Sequence, residues 1–272
     1  MKKLSLVLVL SLLVSVLGFQ SCTKENDALK APKLPDTKMM MMDFNGFDNV
    51  DPDQRSFSNW FHAAVNVYFW TRTVYEVIHV PVIAFVAALQ QDAVFQGNDT
   101  WLWSFTVNEN GEQYTVELYG TLDMENEEVD WAMYVTHSGG LQDFLWVSGS
   151  TAYDESYSNF LLNGFADEAN GDYSELEFLT IEYSQDFSTD TEGIRYTIVV
   201  PETPENGSYI QYGTAVNEEF PVYYDIFLSA ENNTTMIQYN PETKYGRVQD
   251  EKRFHDNDWH CWNNFTNDIE CE

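Results

Sequence analysis

From residue 56 onward the hydrophobic residues repeat first with the period of a helix and then with that of a strand. In SFSNWFHAAVNVYFWTRTVYEVIH (56–79), Phe57, Trp60, Phe61, Ala64, Tyr68, Tyr75 and Ile78 fall on one side at spacings of three, four and seven, which predicts a long helix. Ser58, His62, Asn66, Thr73 and Glu76 lie along the opposite side. Apolar residues spill well beyond one stripe, so the helix is expected to be mostly buried. Pro81 suits the first turn of a second helix, PVIAFVAALQQ (81–91), because the N–H it lacks has no helical partner there anyway. Asn66, Arg72, Glu76 and His79 interrupt the apolar run and argue against a membrane span.

From Trp101 the period changes to two. Trp101, Trp103, Phe105 and Val107 share one face of a first run, Tyr114, Val116 and Leu118 of a second, and Val129, Trp131, Met133 and Val135 of a third. Between the first two, NENGE (108–112) carries the Asn-Gly pair of tight hairpins, whose central residues need positive φ. Further runs follow at 143–150, 157–165, 175–183, 193–200, 207–214, 221–229, 234–240 and 244–250. About eleven strands joined by short turns predict an antiparallel meander, since parallel pairing needs long crossovers. The expected fold is therefore mainly β with N-terminal helices (α+β), the meander curled as a half-barrel over two apolar helices. This order of elements, and no residue motif, resembles the half-barrel of bacterial lipoprotein carriers and their periplasmic sensor relatives. The resemblance implies a groove under the sheet that holds acyl chains.

The start of the chain is different. Lys2 and Lys3 precede a 14-residue apolar core at 4–17 broken only by serines, too short for a spanning helix and right for a signal peptide. Phe19-Gln20-Ser21-Cys22 resembles the lipobox of bacterial lipoproteins, with a glutamine at its second position as a departure. The Ser-Cys ending and the Lys24-Glu25-Asn26-Asp27 stretch behind it are similar to surface lipoproteins of Bacteroidota. The resemblance implies that residues 1–21 are removed, that Cys22 is lipidated, and that the protein is held at the outer membrane, facing the cell surface. Residues 22–55, rich in Pro, Asp and Lys and with four methionines at 39–42, read as a flexible tether, and 56–272 as a single domain.

Two cysteines remain, Cys261 and Cys271. In an oxidising compartment they are expected to form a disulfide worth about 2–3 kcal/mol. Removing 1–21 takes away two of 13 basic residues and none of the 44 acids, leaving a formal charge of −33. That charge disfavours nucleic acid and phosphate-rich surfaces. Hydrophobic residues make up 44% of the chain, which separates it from disordered acidic proteins and allows a true core.

Chemistry is harder to place. His255, Asp256, Asp258, His260 and Cys261 could ligate zinc, but their spacing fits no familiar module and Cys271 is better used in the disulfide. The loop 166–175 has alanine where the first calcium ligand should stand. No nucleophile elbow, zincin motif or phosphate-binding glycine loop occurs, so no catalytic residue, metal or cofactor is assigned. His62 and Glu76 lie about 21 Å apart along a helix and cannot act together. Four residues remain as possible ligand contacts: Asn66 and Glu76, if the polar side of the helix lines a cavity, and Trp259 and Trp262, if the polar terminal segment displays an aromatic platform. The first pair fits a lipophilic guest under the sheet; the second fits a glycan, bound or cleaved. The membrane, through the lipid anchor, is the remaining partner.

Overall fold

The computed structural model describes residues 30–41, 47, 58–109, 112–137, 140–167, 172–216 and 219–271. The expected signal peptide, Cys22, Phe57 and the Asn110-Gly111 turn lie outside them, as does the side chain of Glu76. Residues Ala31–Glu272 form one unit.

Ser58 begins the first helix, its hydroxyl accepting a hydrogen bond from the backbone N–H of Phe61 (3.3 Å), which satisfies one of the donors a helix start leaves over. The helix, α1 (Asn59–Ala88), runs without a break through Pro81, where two helices were expected. The chain bends instead, by 52° between Asn59–Tyr75 and Val77–Ala88. Pro81 has no N–H for the carbonyl of Val77 and its ring crowds that carbonyl, so the hinge falls one turn upstream of the proline. The hydroxyls of Thr71 and Thr73 bond back to the carbonyls of Val67 (2.8 Å) and Phe69 (2.9 Å), a further bending influence. No single helix among the described residues is long and apolar enough to cross a membrane.

The buried stripe of α1 is Ala63, Val67, Trp70, Val74, Ile78, Val82 and Phe85, rotated from the one the pattern predicted. Ala64 and Ile78 are buried as expected, but Tyr75 is exposed and Trp60, Phe61 and Tyr68 are only partly covered. With apolar residues around most of the helix, the period alone could not select which stripe meets the sheet.

Fourteen strands follow among the described residues. They are β1 (Val94–Gly97), β2 (Thr100–Glu109), β3 (Glu112–Asp123), β4 (Glu128–His137), β5 (Leu141–Ala152), β6 (Tyr157–Asp167) and β7 (Asp172–Asp186). Then come β8 (Thr191–Ile198), β9 (Tyr209–Thr214), β10 (Val222–Leu228), β11 (Asn233–Tyr239), β12 (Gly246–Asp250), β13 (His260–Trp262) and β14 (Asp268–Ile269), with a four-residue helix, α2 (Glu251–Phe254), between β12 and β13. Each strand pairs only with its sequence neighbours, all antiparallel, and β1 does not pair with β14. The meander is as expected; it exceeds eleven strands because β1, β13 and β14 are two to four residues long, too short to show a period.

The predicted alternation holds along the sheet. Trp101, Trp103, Phe105, Val116, Leu118, Val129, Trp131, Met133 and Val135 are all buried, in one continuous cluster with the buried stripe of α1. Trp131 lies against Gly120 of the neighbouring strand, where a Cβ would come within 2.7 Å of its ring. Glycine there leaves the room the indole fills.

The N-terminal approach to the domain is not a free tether throughout. Residues 31–41 form a strap that enters the core. Asp36 caps a 3-10 turn, Thr37–Met39, which turns Met39 and Met40 fully inward beside Leu34. Their carbonyls accept hydrogen bonds from buried hydroxyls of the sheet, Ser158 Oγ to Met39 O (3.1 Å) and Tyr196 Oη to Met40 O (2.8 Å). Lys38 reaches Gln185 (2.9 Å) and the Tyr183 ring. The Tyr183 contact is the main reason that the Lys38 ammonium is held above its usual pKa. The methionines at 39 and 40 are core residues. Met40→Ala should lower unfolding stability by about 2–5 kcal/mol, as for other buried large-to-small changes, measured by the denaturant midpoint. A change within about 0.5 kcal/mol, typical of an exposed position, would return the segment to the status of a tether.

Candidate functional site

The strap leaves a cavity of about 310 Å³ between itself and the ends of β3, β4 and β5. Leu34, Met39, Leu122, Met124, Val129 and Ala152 give it apolar walls, and two prolines of the strap, Pro32 and Pro35, line its side. Thr151 brings a hydroxyl to the wall, and that hydroxyl accepts the indole N–H of Trp131 (2.9 Å). At the rim Lys33 and Glu155 form an ion pair from strap to sheet. It is well exposed and is therefore a weak clasp, worth at most about 1 kcal/mol. Met124 is 59% exposed and Tyr153 45%, so the mouth itself presents apolar surface to solvent. A recess of this size and lining suits an apolar guest, and the thioethers of Met39 and Met124 can adapt to its shape.

A second polar constellation joins the start of α1 to the end of the sheet. Asn59 is buried; its N–H donates to Asp268 Oδ1 (2.8 Å) and its amide to the carbonyl of Cys261 (3.0 Å). One turn on, His62 Nε2 meets Asp250 Oδ2 (2.8 Å). That oxygen also accepts from Thr235 Oγ1 (2.8 Å), while Oδ1 accepts from Asn233 Nδ2 (3.0 Å) and from the backbone N–H of Arg253 (3.0 Å), capping α2. Burial by itself would raise the pKa of Asp250, but the bonds from His62, Thr235, Asn233 and Arg253 N–H outweigh it and hold the carboxyl well below the usual carboxylate range. The hydroxyl of Thr235 on β11 is bonded to the same carboxylate oxygen that His62 meets. His62 and Asp250 anchor the helix.

The residues expected from the sequence are scattered over the fold. Asn66 is half-buried and spends its amide on the carbonyl of His62 one turn back (2.9 Å). Glu76 lies in α1, with its side chain outside the described residues. Trp262 is a correction to the platform expectation: it is fully buried, packed over Gly246, with its N–H on the carbonyl of Lys244 (3.2 Å). Strand β13 alternates like its neighbours, and Trp262 falls on its inner side. Trp259 stays half-buried, with the guanidinium of Arg247 4.6 Å above its ring. Cys261 and Cys271 are joined in a disulfide that closes the β13–β14 hairpin. Among the described residues no three His, Cys, Asp or Glu side chains gather as a metal site; His260 is bonded to Asp256 (3.0 Å) and stacked on Phe254.

Sequence reasoning missed Asp250 and the pocket. Asp250 directly before Glu251 and a basic pair is a recognisable helix-start signal, but its partners lie up to 188 residues away. The pocket follows from the path of the strap, which no local pattern reveals. No family model matches the sequence, and no curated protein or solved structure matches it either.

Asp250→Ala should cost about 3–5 kcal/mol, since it strands buried donors. For Asp250→Asn the pH dependence is diagnostic. Because the folded pKa is lowered, the carboxylate's contribution is full above its unfolded value near 4 and is lost as the pH falls through the lower folded value. The stability gap between wild type and Asp250→Asn should therefore be larger at pH 7 than at pH 2.5 in urea titrations. An equal gap at both would show that ionisation of Asp250 is not what holds the anchor.

Proposed function

We propose that this chain is a non-enzymatic lipoprotein of the bacterial outer membrane, anchored through acylated Cys22 and facing the cell surface, that binds a lipophilic guest in the recess under the strap. The observation that carries the reading is the apolar cavity of about 310 Å³ with exposed Met124 and Tyr153 at its mouth.

The guest-binding body is a half-barrel. Its curl is supported by what α1 touches. The first turn of the helix is bonded to β12, β13 and β14, while Phe85 near its far end meets Trp131 of β4 and Phe160 of β6 at ring distances of 6.3 and 6.0 Å. At about 4.8 Å per strand a flat sheet would separate β4 from β14 by roughly 48 Å. The 26 steps from Asn59 to Phe85 span about 39 Å even in a straight helix, and α1 is bent. A curled sheet removes the discrepancy.

The recess lies at the strap, and not along the polar side of α1 where Asn66 and Glu76 run. Titration with cis-parinaric acid should give saturable fluorescence enhancement. Met124→Glu puts a carboxylate at the mouth, where an apolar guest would desolvate it; affinity should fall tenfold or more with little change in thermal stability, because the position is exposed. Absence of saturation, or identical binding by the variant, would remove the recess from the account. The anchor has its own test. Cys22→Ser should move the protein from the membrane pellet to the soluble fraction, and a variant that stays with the membrane would refute lipidation as the tether.

A further inference from the structure

Arg247 is held differently from four other cations of the described residues. Lys33, Lys38 and Lys252 each pair with a glutamate, and Arg195, stacked on Tyr209, lies in the field of Asp225. With 44 acidic residues against 13 basic ones, a carboxylate partner is the expected state of any cation in this chain. Arg247 instead lies on the outer face of β12, between the rings of Phe220 and Trp259, each 4.6 Å from its guanidinium carbon. One neutral oxygen, Gln238 Oε1 on β11, accepts from both Nε (2.8 Å) and Nη2 (2.6 Å). No carboxylate among the described residues is within ion-pair distance of it.

This uses one edge of the guanidinium and leaves the other. Five N–H groups form a planar fork; Gln238 takes the Nε–Nη2 side. Nη1 has no hydrogen bond among the described residues, and it is not one of the buried atoms left without a partner, so it keeps some accessible surface. Contact with the two rings and the two bonds to Gln238 together restrict the orientation of the group. Little side-chain entropy remains to be lost when the end-on Nη1–Nη2 edge engages a ligand. A planar fork of this kind matches a carboxylate with two parallel bonds. Beside it stand the half-buried indole of Trp259 and the amide of Gln238, an apolar wall and a neutral hydrogen-bonding group.

We propose that Arg247, Trp259 and Gln238 form a binding site for a sugar acid, with the carboxylate on the free edge of Arg247 and the ring body against Trp259. The strongly negative chain repels polyanions, which restricts the ligand to one carrying a single compact charge. The site is separate from the recess under the strap and does not depend on it.

Calorimetric titration of the full-length protein in detergent with sodium D-glucuronate, D-glucose and sodium acetate tests this. Glucuronate should bind saturably at one site, at least tenfold more tightly than acetate, with glucose giving no saturable heat. Arg247→Gln should weaken glucuronate at least tenfold. Arg247→Lys, which keeps the charge and loses the fork, should weaken it nearly as much while its melting temperature stays near wild type. No saturable glucuronate binding, or binding unchanged in the folded Arg247→Lys protein, would overturn the site. Acetate binding as tight as glucuronate would overturn its assignment to a sugar acid.

Discussion

Burial of one bent helix against one face of an open sheet is the contact on which the rest of the molecule depends. A meander whose first and last strands do not pair cannot seal its apolar face on itself. The indoles of Trp101, Trp103 and Trp131 would stand in water without a second layer, and α1 supplies that layer through Val67, Trp70, Val74, Ile78 and Phe85. At about 25 cal/mol per Å² of apolar surface, removing several large side chains from water at once dominates any single polar contact. The polar contacts have a different task. Apolar burial is non-directional and tolerates rotation of the helix, whereas the bonds of Asn59 and His62 to the last three strands accept only one orientation.

That division of labour accounts for the chemistry concentrated near the C-terminus. The last strands are two to five residues long and cannot hold a helix by themselves. The Cys261–Cys271 disulfide closes their hairpin, Asp268 and the Cys261 carbonyl then accept from the donors of Asn59, and Asp250 binds helix, strand and α2 together. At the other end the strap works in the same way. Met39 and Met40 contribute area, and the hydroxyls of Ser158 and Tyr196 donate to the strap's carbonyls so that entering the core leaves neither unpaired. The recess exists because the strap crosses the strand ends without filling them. Both proposed sites arise where a non-repeating segment meets the regular sheet: the strap at β3–β5 for the recess, and the segments carrying Phe220 and Trp259 at β11–β12 for the guanidinium.

The sequence by itself determined the kinds of element and their order. Side-chain period is a local property, set by the geometry of helix or strand over a few residues. The alternation of Val129, Trp131, Met133 and Val135 could therefore be read directly as a half-buried strand, and short turns as antiparallel connections. The pairing of Cys261 with Cys271 was legible for a similar reason, since only ten positions separate them. The tertiary structure decided which stripe of α1 faces inward, that Pro81 bends one helix instead of starting another, that the strap belongs to the core, and that Trp262 is buried while Trp259 keeps a face against Arg247. Several of these turn on groups far apart in the chain: 119 residues from Met39 to Ser158, 156 from Met40 to Tyr196, 209 from Asn59 to Asp268. A window of local pattern carries no information at that range, because only the closed fold brings such groups within reach of one another.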